Sequence, residues 1–525
     1  MTALRSDRLL MALALLLVLG LLYRLWPIVA GMPALANFYM TEDGYLMLTV
    51  SRNMAIGNGM SVSDGTIAPN GVQPLIAFLF AIPYMITGGD KVTSLVGVHI
   101  IAAAAAFLAI FPIRAFAARV LAPRDPGPVW PWAVAALWFL GPVLLRHSMN
   151  GLETGLYTLV SITTLVVFAR VLDRDAGLGP RLLLGALCGL SVLARNDAVF
   201  LVAAIFAGWA VWELIVPRRG FVAMIIRLVP PGLLSIAVAA PWLLNNLFRF
   251  GSIVPISGTA QSMGAELGGN LSLLPIVLFE NAFPMLPVPT GLNENTVIIT
   301  LALVGLCVVT LGLLWYVFRT CPPVVRALVV AYLLFAIALA GYYGVFFGAR
   351  HFLSRYVAPT APLFIVAALV TCFELGRLLR LRSWLATAYI AVGLALAIGI
   401  SAYKTLPGST LQGHEQVVAW GDANVPDEAW AAAVQTGTLG YWHDRTYNLD
   451  GKVNPEALQA IRTDGHVLDY VTASEIDYIV DWWGVGAWVE FPHAQGPGKF
   501  AETFERIVHA RAANLPAALD GVDIA

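Results

Sequence analysis

Residues 41–59 read TEDGYLMLTVSRNMAIGNG and follow the first long apolar run of the chain, so two adjacent acids, Glu42 and Asp43, stand where a membrane protein has just left the bilayer. Thr41 suits an N-cap, the acids fill a first turn, and Gly57 with Asn58-Gly59 is a stop signal. The pattern therefore predicts a helix over 42–56 lying along the membrane. Tyr45, Leu46, Leu48 and Val50 would then meet lipid or protein. Acids in a first turn complement the helix dipole and need no other role. A carboxylate at the water–membrane boundary also suits proton abstraction from a hydroxyl during sugar transfer, where positive character builds early on the sugar and the hydroxyl proton becomes acidic late. The spacing alone leaves both accounts open.

The 525 residues are 59% hydrophobic and only 12% charged, with mean hydropathy +0.77. No soluble domain of this size has the polar surface to cover that balance, so the chain reads as a mainly α, polytopic membrane protein. A formal net charge of −1 offers no basic excess for nucleic acid. Cys188, Cys307, Cys321 and Cys372 form neither a disulfide framework nor a zinc spacing. The lack of a GxxxxGK[ST] loop argues against an ATP-driven pump.

Residues 1–31, MTALRSDRLLMALALLLVLGLLYRLWPIVAG, have the basic start of a signal peptide, but the apolar run is too long and no small-x-small cleavage site follows. They read as a retained first span. At about 20 apolar residues per span, further spans begin near residues 92, 129, 153, 197, 222, 295, 326, 356 and 383, with short runs at 181–195 and 72–88. Lys and Arg concentrate on the cytoplasmic side. The arginine groups 114/119/124, 170/174/181, 218/219, 319/326 and 377/380/382 all fall inside if the N-terminus is inside, 181–195 spans and 72–88 does not. That predicts about eleven transmembrane helices, with 72–88 re-entrant or interfacial.

The same parity makes 1–401 the transmembrane domain, with 31–91 as the first outer loop and 245–294 as the second long one, and exports 402–525 as a small soluble α/β domain. In that tail, 431–451 alternates like strands around a turn, 454–465 and 466–474 look helical, and 476–483 looks like a strand. Trp482, Trp483, Trp488 and the WHD of 442–444 offer stacking surfaces for sugars, or fill a small core or meet the membrane surface. No internal repeat of the transporter sort is visible.

Other polar residues gather on the predicted outer face: Arg146, His147, Asn150 and Glu153 in RHSMNGLETG, Arg195, Asn196 and Asp197 in LARNDAVF, and Arg350, His351 and Arg355 in GARHFLSRYVAP. Any one arginine at a helix end can simply snorkel. Together they run against the positive-inside bias and point to an anionic ligand such as a lipid phosphate, with His147 and His351, each beside an arginine, as further donors. No dense cluster marks a transition-metal site. The residues call for no cofactor; if a divalent cation (Mg2+, Mn2+ or Ca2+) is used, Asp43 and Glu42 are its ligand candidates.

At these residues the chain resembles the GT-C superfamily of membrane glycosyltransferases, which use polyprenyl-phosphate-linked sugars. Within it, the chain looks most like the branch of the mycobacterial terminal β-(1→2)-arabinofuranosyltransferases. The carrying stretches, in order, are EDGYLMLTVSRNMAIGNGMSVSDG at 42–65 with the looser NGVQPL at 70–75, GLETGLYTL at 151–159, LARNDAVFL at 193–201, RFGSIVPISGTAQS at 249–262, SRYVAPTAPLF at 354–364 and GTLGYWHDRTYNLDGKVNPEAL at 437–458.

The resemblance implies an outward-facing cavity, Asp43 as catalytic acid with Glu42 beside it, and Arg355 near the lipid phosphate, where the charge pattern of the outer face also puts Arg350, His351, Arg146, His147 and Arg195. It makes Glu153, Asn150, Gln73 and Tyr45 candidates for sugar or acceptor contact, with Asn70 as a weaker one. The family commonly has two aspartates where this chain has Glu-Asp. The implied reaction moves a sugar, such as the pentofuranose arabinofuranose, from a polyprenyl-phosphate donor to a glycan, lipid or protein hydroxyl, with inversion, at the outer face of a bacterial inner (plasma) membrane. Competing readings are a protein O-mannosyltransferase-like or lipid A aminoarabinose transferase-like enzyme, and, outside enzymes, a lipid-linked sugar transporter or flippase.

Overall fold

The computed structural model describes residues 2–124, 127–173, 176–263, 265–348, 350–405, 413–482, 508–510 and 522–524. Among them nine helices are long and apolar enough to cross a membrane, and a tenth span is formed if Val129–Leu140 and Pro142–Met149, bent by 61° at their junction, count as one. The bend has a local cause. Pro142 supplies no backbone N–H and disfavours the helical conformation for the residue before it, and Gly141 there is extended, with Pro284 so near that a Cβ would lie 2.7 Å from it.

The expected span at 181–195 is the 17-residue helix Leu178–Ala194, shorter than the others but lodged in the bundle against Phe221–Phe250. Glycines permit the contact: a Cβ on Gly185 would stand 2.2 Å from the Pro231 carbonyl oxygen. The run at 72–88 is the 14-residue helix Pro74–Thr87, roughly 21 Å long at 1.5 Å per residue and too short for a bilayer core of about 30 Å. Ile76, Ala77, Phe80 and Tyr84 bury one face against Glu42–Ala55 and Lys91–Leu121, while Phe78, Ile82, Met85 and Ile86 stay exposed on the other. The basic loops meet at one end of the bundle, where Arg119 pairs with Asp173 and Glu374 with both Arg124 and Arg377.

Beyond the last long helix, the described residues form a five-stranded sheet. Thr446–Asn448 and Tyr478–Trp482 flank Ala431–Ala433 in parallel, and Val522–Ile524 and Val508–Ala510 extend the sheet antiparallel. This corrects the reading of 431–451 as strands around a turn. The two strands there are parallel, which requires a crossover, and the helix Gly437–Trp442 supplies it. The helices expected at 454–465 and 466–474 are Pro455–Asp464 and Leu468–Ala473. Trp483 and Trp488 lie outside the described residues.

The crossover helix docks the sheet onto the membrane part. Buried Tyr441 packs on Tyr45 with ring centroids 4.8 Å apart, lies 2.9 Å from the Tyr84 hydroxyl and donates to the Lys91 carbonyl oxygen at 2.6 Å. Asp444 pairs with Arg52 and Lys91, each at 3.0 Å. Ser63 donates to the Thr446 carbonyl oxygen at 2.6 Å.

Candidate active site

A cavity of about 310 Å³ opens between the segment 43–73, the helix Ile256–Ser262, the ends of the bundle and the sheet-bearing segment. Asp43, Gln73, Glu153, Arg195, Arg355 and Lys452 are among its lining residues. Asp43 is held there by the start of Glu42–Ala55. Thr41 Oγ1 accepts from the Gly44 N–H at 3.3 Å and donates to the Asn150 carbonyl oxygen at 3.0 Å. Gly44 is needed for this approach, since a Cβ would lie 2.2 Å from that same oxygen.

Arg355 comes from the turn Leu353–Val357. Its Nη1 donates to Asp43 Oδ2 at 3.1 Å, and its guanidinium lies 4.7 Å from the Phe352 ring centroid and 5.1 Å from that of Tyr356. Burial alone would push the Asp43 carboxyl up, but the positive charges of Lys452 and Arg355, with the hydrogen bond from Arg355 and a contribution from His351, outweigh it and hold the carboxyl below the usual carboxylate range. Asp43 is therefore ionised at neutral pH.

Behind Arg355 its turn is pinned from the other side. Ser354 Oγ lies 3.0 Å from His147 Nε2 and donates to Glu280 Oε2 at 3.4 Å, and Glu280 Oε1 accepts from the Val288 N–H at 2.7 Å. Burial raises the Glu280 carboxyl to about 7 against these hydrogen bonds.

Arg195, 2% exposed, forms a separate knot. It pairs with Asp197, approaches Glu153 at 3.8 Å and donates to the Tyr356 carbonyl oxygen at 3.0 Å. The Tyr343 hydroxyl donates to Asp197 at 2.6 Å, and the Tyr343 and Tyr356 rings stack with centroids 4.3 Å apart. The knot builds one wall of the cavity, with Arg195 Nη1 left without a hydrogen-bond partner among the described residues.

The other expected site residues divide. Gln73 and Glu153 line the cavity. Glu42 does not: its carboxylate accepts from the Gly437 N–H, the Thr438 N–H at 3.0 Å and the Thr438 hydroxyl at 2.6 Å, so it fastens the crossover helix. Tyr45 is buried and donates to the Ala36 carbonyl oxygen at 2.8 Å. Asn150 Oδ1 accepts from the Leu152 N–H at 3.2 Å, and Asn70 Oδ1 accepts from the Ile256 N–H at 2.9 Å, tying the segment before Pro74–Thr87 to the start of Ile256–Ser262. Arg350 faces Glu294 at 3.7 Å, Arg146 is exposed, and His351 packs on Phe352 beside the Arg355 turn. Asp43 and Glu42 do not converge on a shared cation. Among the described residues no group of three or more His, Cys, Asp or Glu is arranged to hold one.

Sequence reasoning missed Lys452, Tyr343, Tyr356 and Glu280. Lys452 stands in the Asp-Gly turn of NLDGKVNP, which was legible as a turn but not as one reaching the cavity. Asp450 Oδ1 accepts from the Lys452 N–H at 2.9 Å and Oδ2 pairs with Nζ at 3.0 Å, and a Cβ on Gly71 would stand 2.0 Å from the Lys452 carbonyl oxygen.

With that geometry in hand, comparison with solved structures shows the fold. ArnT from Cupriavidus metallidurans, solved bound to undecaprenyl phosphate, superposes with TM-score 0.54 at 13% identity, covering 97% of each chain. The archaeal oligosaccharyltransferase AglB from Archaeoglobus fulgidus, in complex with an inhibitory peptide and a dolichol-phosphate, gives TM-score 0.55 at 15% identity over 89% of this chain and 69% of its own. The arabinofuranosyltransferase AftD from Mycobacteria aligns at TM-score 0.47 and 14% identity over 98% of this chain and 39% of its own, a likeness too distant to bear on the sugar. The chain is a multi-pass membrane protein with the fold of the GT-C glycosyltransferases. Residues 395–515 match a family described as a domain of unknown function (DUF8728). No curated protein matches the sequence.

Proposed function

We propose that this chain is a glycosyltransferase that moves a sugar from a polyprenyl-phosphate carrier to a hydroxyl of a glycan, lipid or protein at the outer face of the membrane. The observation that carries the reading is an acid, Asp43, lining a cavity and bonded to Arg355 at 3.1 Å, in a fold shared with ArnT and AglB. In this reading the acceptor oxygen attacks the anomeric carbon, the carbon–oxygen bond to the phosphate breaks, and the phosphate leaves with the bonding electrons. Asp43 takes the hydroxyl proton, and Arg355 stabilises the charge growing on the leaving group. A single displacement inverts the anomeric centre.

Two features support the membrane as the source of the donor. ArnT and AglB were each solved with a polyprenyl phosphate, and Pro74–Thr87 beside the cavity presents an unpartnered apolar face. A pentofuranose such as arabinofuranose is the donor sugar we favour, on the ordered resemblance of 42–65, 151–159, 193–201 and 354–364. By the loop-charge rule the end of the bundle where the basic loops meet would face the cytoplasm, which puts the cavity at the exported side.

The test is transfer by purified protein in nanodiscs from a panel of polyprenyl-phosphate sugars, wild type against Asp43→Asn. The expected result is release of polyprenyl phosphate with a fall of about 10²- to 10⁴-fold in Asp43→Asn. Full activity in the variant removes Asp43 from the base role, and movement of an intact lipid-linked sugar across the bilayer with none consumed favours a flippase.

A further inference from the structure

Three cations line the cavity, and they differ in what surrounds them. Arg195 faces two carboxylates, Asp197 and Glu153, and the Tyr356 carbonyl oxygen, with its Nη1 unpartnered among the described residues. Arg355 shares one edge with Asp43 and donates from Nη2 to the Tyr356 hydroxyl at 3.3 Å, while its buried Nε has no hydrogen-bond partner. Lys452 arrives from the sheet-bearing segment, its side chain 16% exposed, with Nζ 5.6 Å from the Phe352 ring on which Arg355 also lies. Phe352 thus has two positive charges within about 6 Å of its ring, paired with Asp43 and Asp450.

We infer that Lys452 and Arg355 together form the subsite for the phosphate of the carrier lipid, so that one half of the phosphate site is supplied from beyond the transmembrane domain. This rests on the glycosyl-transfer reading and adds a residue to it. Charge arithmetic explains why two cations are wanted. A lipid-linked sugar phosphate is a diester bearing one negative charge, and the lipid phosphate it leaves behind is a monoester bearing about −1.5 to −2 at pH 7. The negative charge on the phosphate therefore grows as the bond breaks. Two cations that can turn from Asp43 and Asp450 to the phosphate bind the departing group better than the arriving donor, which is the condition for lowering the barrier. An anion on Arg355 also competes with Asp43 for the same guanidinium and releases the carboxylate to accept a proton. The asparagine and glycine of NLDGKVNP make the position a built one: Asn454 Oδ1 accepts from the N–H groups of Glu456 and Ala457 to start the next helix, and Gly451 turns at φ +76° where a Cβ would strike Leu458.

The experiment measures binding of undecaprenyl phosphate and of inorganic phosphate to the full chain in nanodiscs, for wild type, Lys452→Gln and Lys452→Arg, with thermal midpoints as folding controls. Lys452→Gln is expected to lose about tenfold or more in affinity for the lipid phosphate, in keeping with loss of one charge-assisted bond, while Lys452→Arg keeps most of it. In transfer assays Lys452→Gln lowers kcat more than it raises KM. Unchanged lipid-phosphate binding by a folded Lys452→Gln overturns the assignment and leaves the transferase reading standing. Failure of the wild type to bind lipid phosphate overturns both, and inorganic phosphate binding as tightly as the lipid overturns the carrier as the ligand.

Discussion

Arg355 donates to Asp43 at 3.1 Å across a sequence separation of 312 residues, so an acid from early in the chain and a cation from late in it form a single ion pair at the cavity. The pair keeps Asp43 charged and also keeps it occupied. A carboxylate held this way abstracts a proton only once something else takes its place on the guanidinium.

The pH dependence follows from the sign of that interaction. Positive neighbours hold the Asp43 carboxyl below the ordinary carboxylate range, so the base form persists well below neutral pH and kcat/KM should fall on the acid side only below the range in which an ordinary carboxylate protonates. The same contact adds stability above the unfolded carboxylate value and loses it as pH falls through the lower folded one. A pH–rate profile with an acid limb at 6 to 7 would falsify the assignment of Asp43 as the base.

Arg195 is expected to act on stability before chemistry. Arg195→Ala leaves Asp197 and Glu153 buried beside one another without their cation, a loss on the order of 3–5 kcal/mol, visible as a lowered thermal midpoint and reduced yield in detergent. A variant that melts like wild type yet fails to bind lipid phosphate would make Arg195 a ligand residue instead.

Gly437 marks the seam between the two parts of the chain. A Cβ there would fall 1.8 Å from the Glu42 carbonyl oxygen, so Gly437→Ala must push the crossover helix away, at a cost of about 1–3 kcal/mol. Limited proteolysis should then release the sheet-bearing segment faster than in wild type. Glu42→Gln, which keeps one acceptor oxygen, should do the same more mildly.

Glu280 supplies a second pH signature of opposite sign. Burial raises its carboxyl to about 7, so the stability it contributes is complete below the unfolded value of about 4.5 and is lost as pH climbs to 7. Glu280→Gln should therefore gain on wild type by on the order of 3 kcal/mol between those limits, read as diverging thermal midpoints across pH 4.5–7.5. Parallel melting curves would count against a raised carboxyl.

The spans were legible because each needs only length and apolarity, and the helix after Thr41 because its cap, its acids and its glycine stop are all local. Asp43 was legible by position and motif order. The separation of Asp43 from Glu42 was not, since adjacent residues in a first turn diverge according to what packs around them, and the crossover helix that claims Glu42 lies about 395 residues on. The parallel pairing of Ala431–Ala433 with Thr446–Asn448 was hidden for a related reason: alternation reports a strand but not its direction. Lys452, Tyr343 and Tyr356 carry no local signature and become site residues only through tertiary contact.

The crossover helix also sets an order of events. Ribosomes deliver residues in sequence, so every membrane-spanning helix is made before Gly437 reaches Glu42 or Lys452 reaches the cavity. The cavity is complete only once Lys452 has been made and its segment has docked, so a nascent bundle, already inserted, still has an unfinished wall.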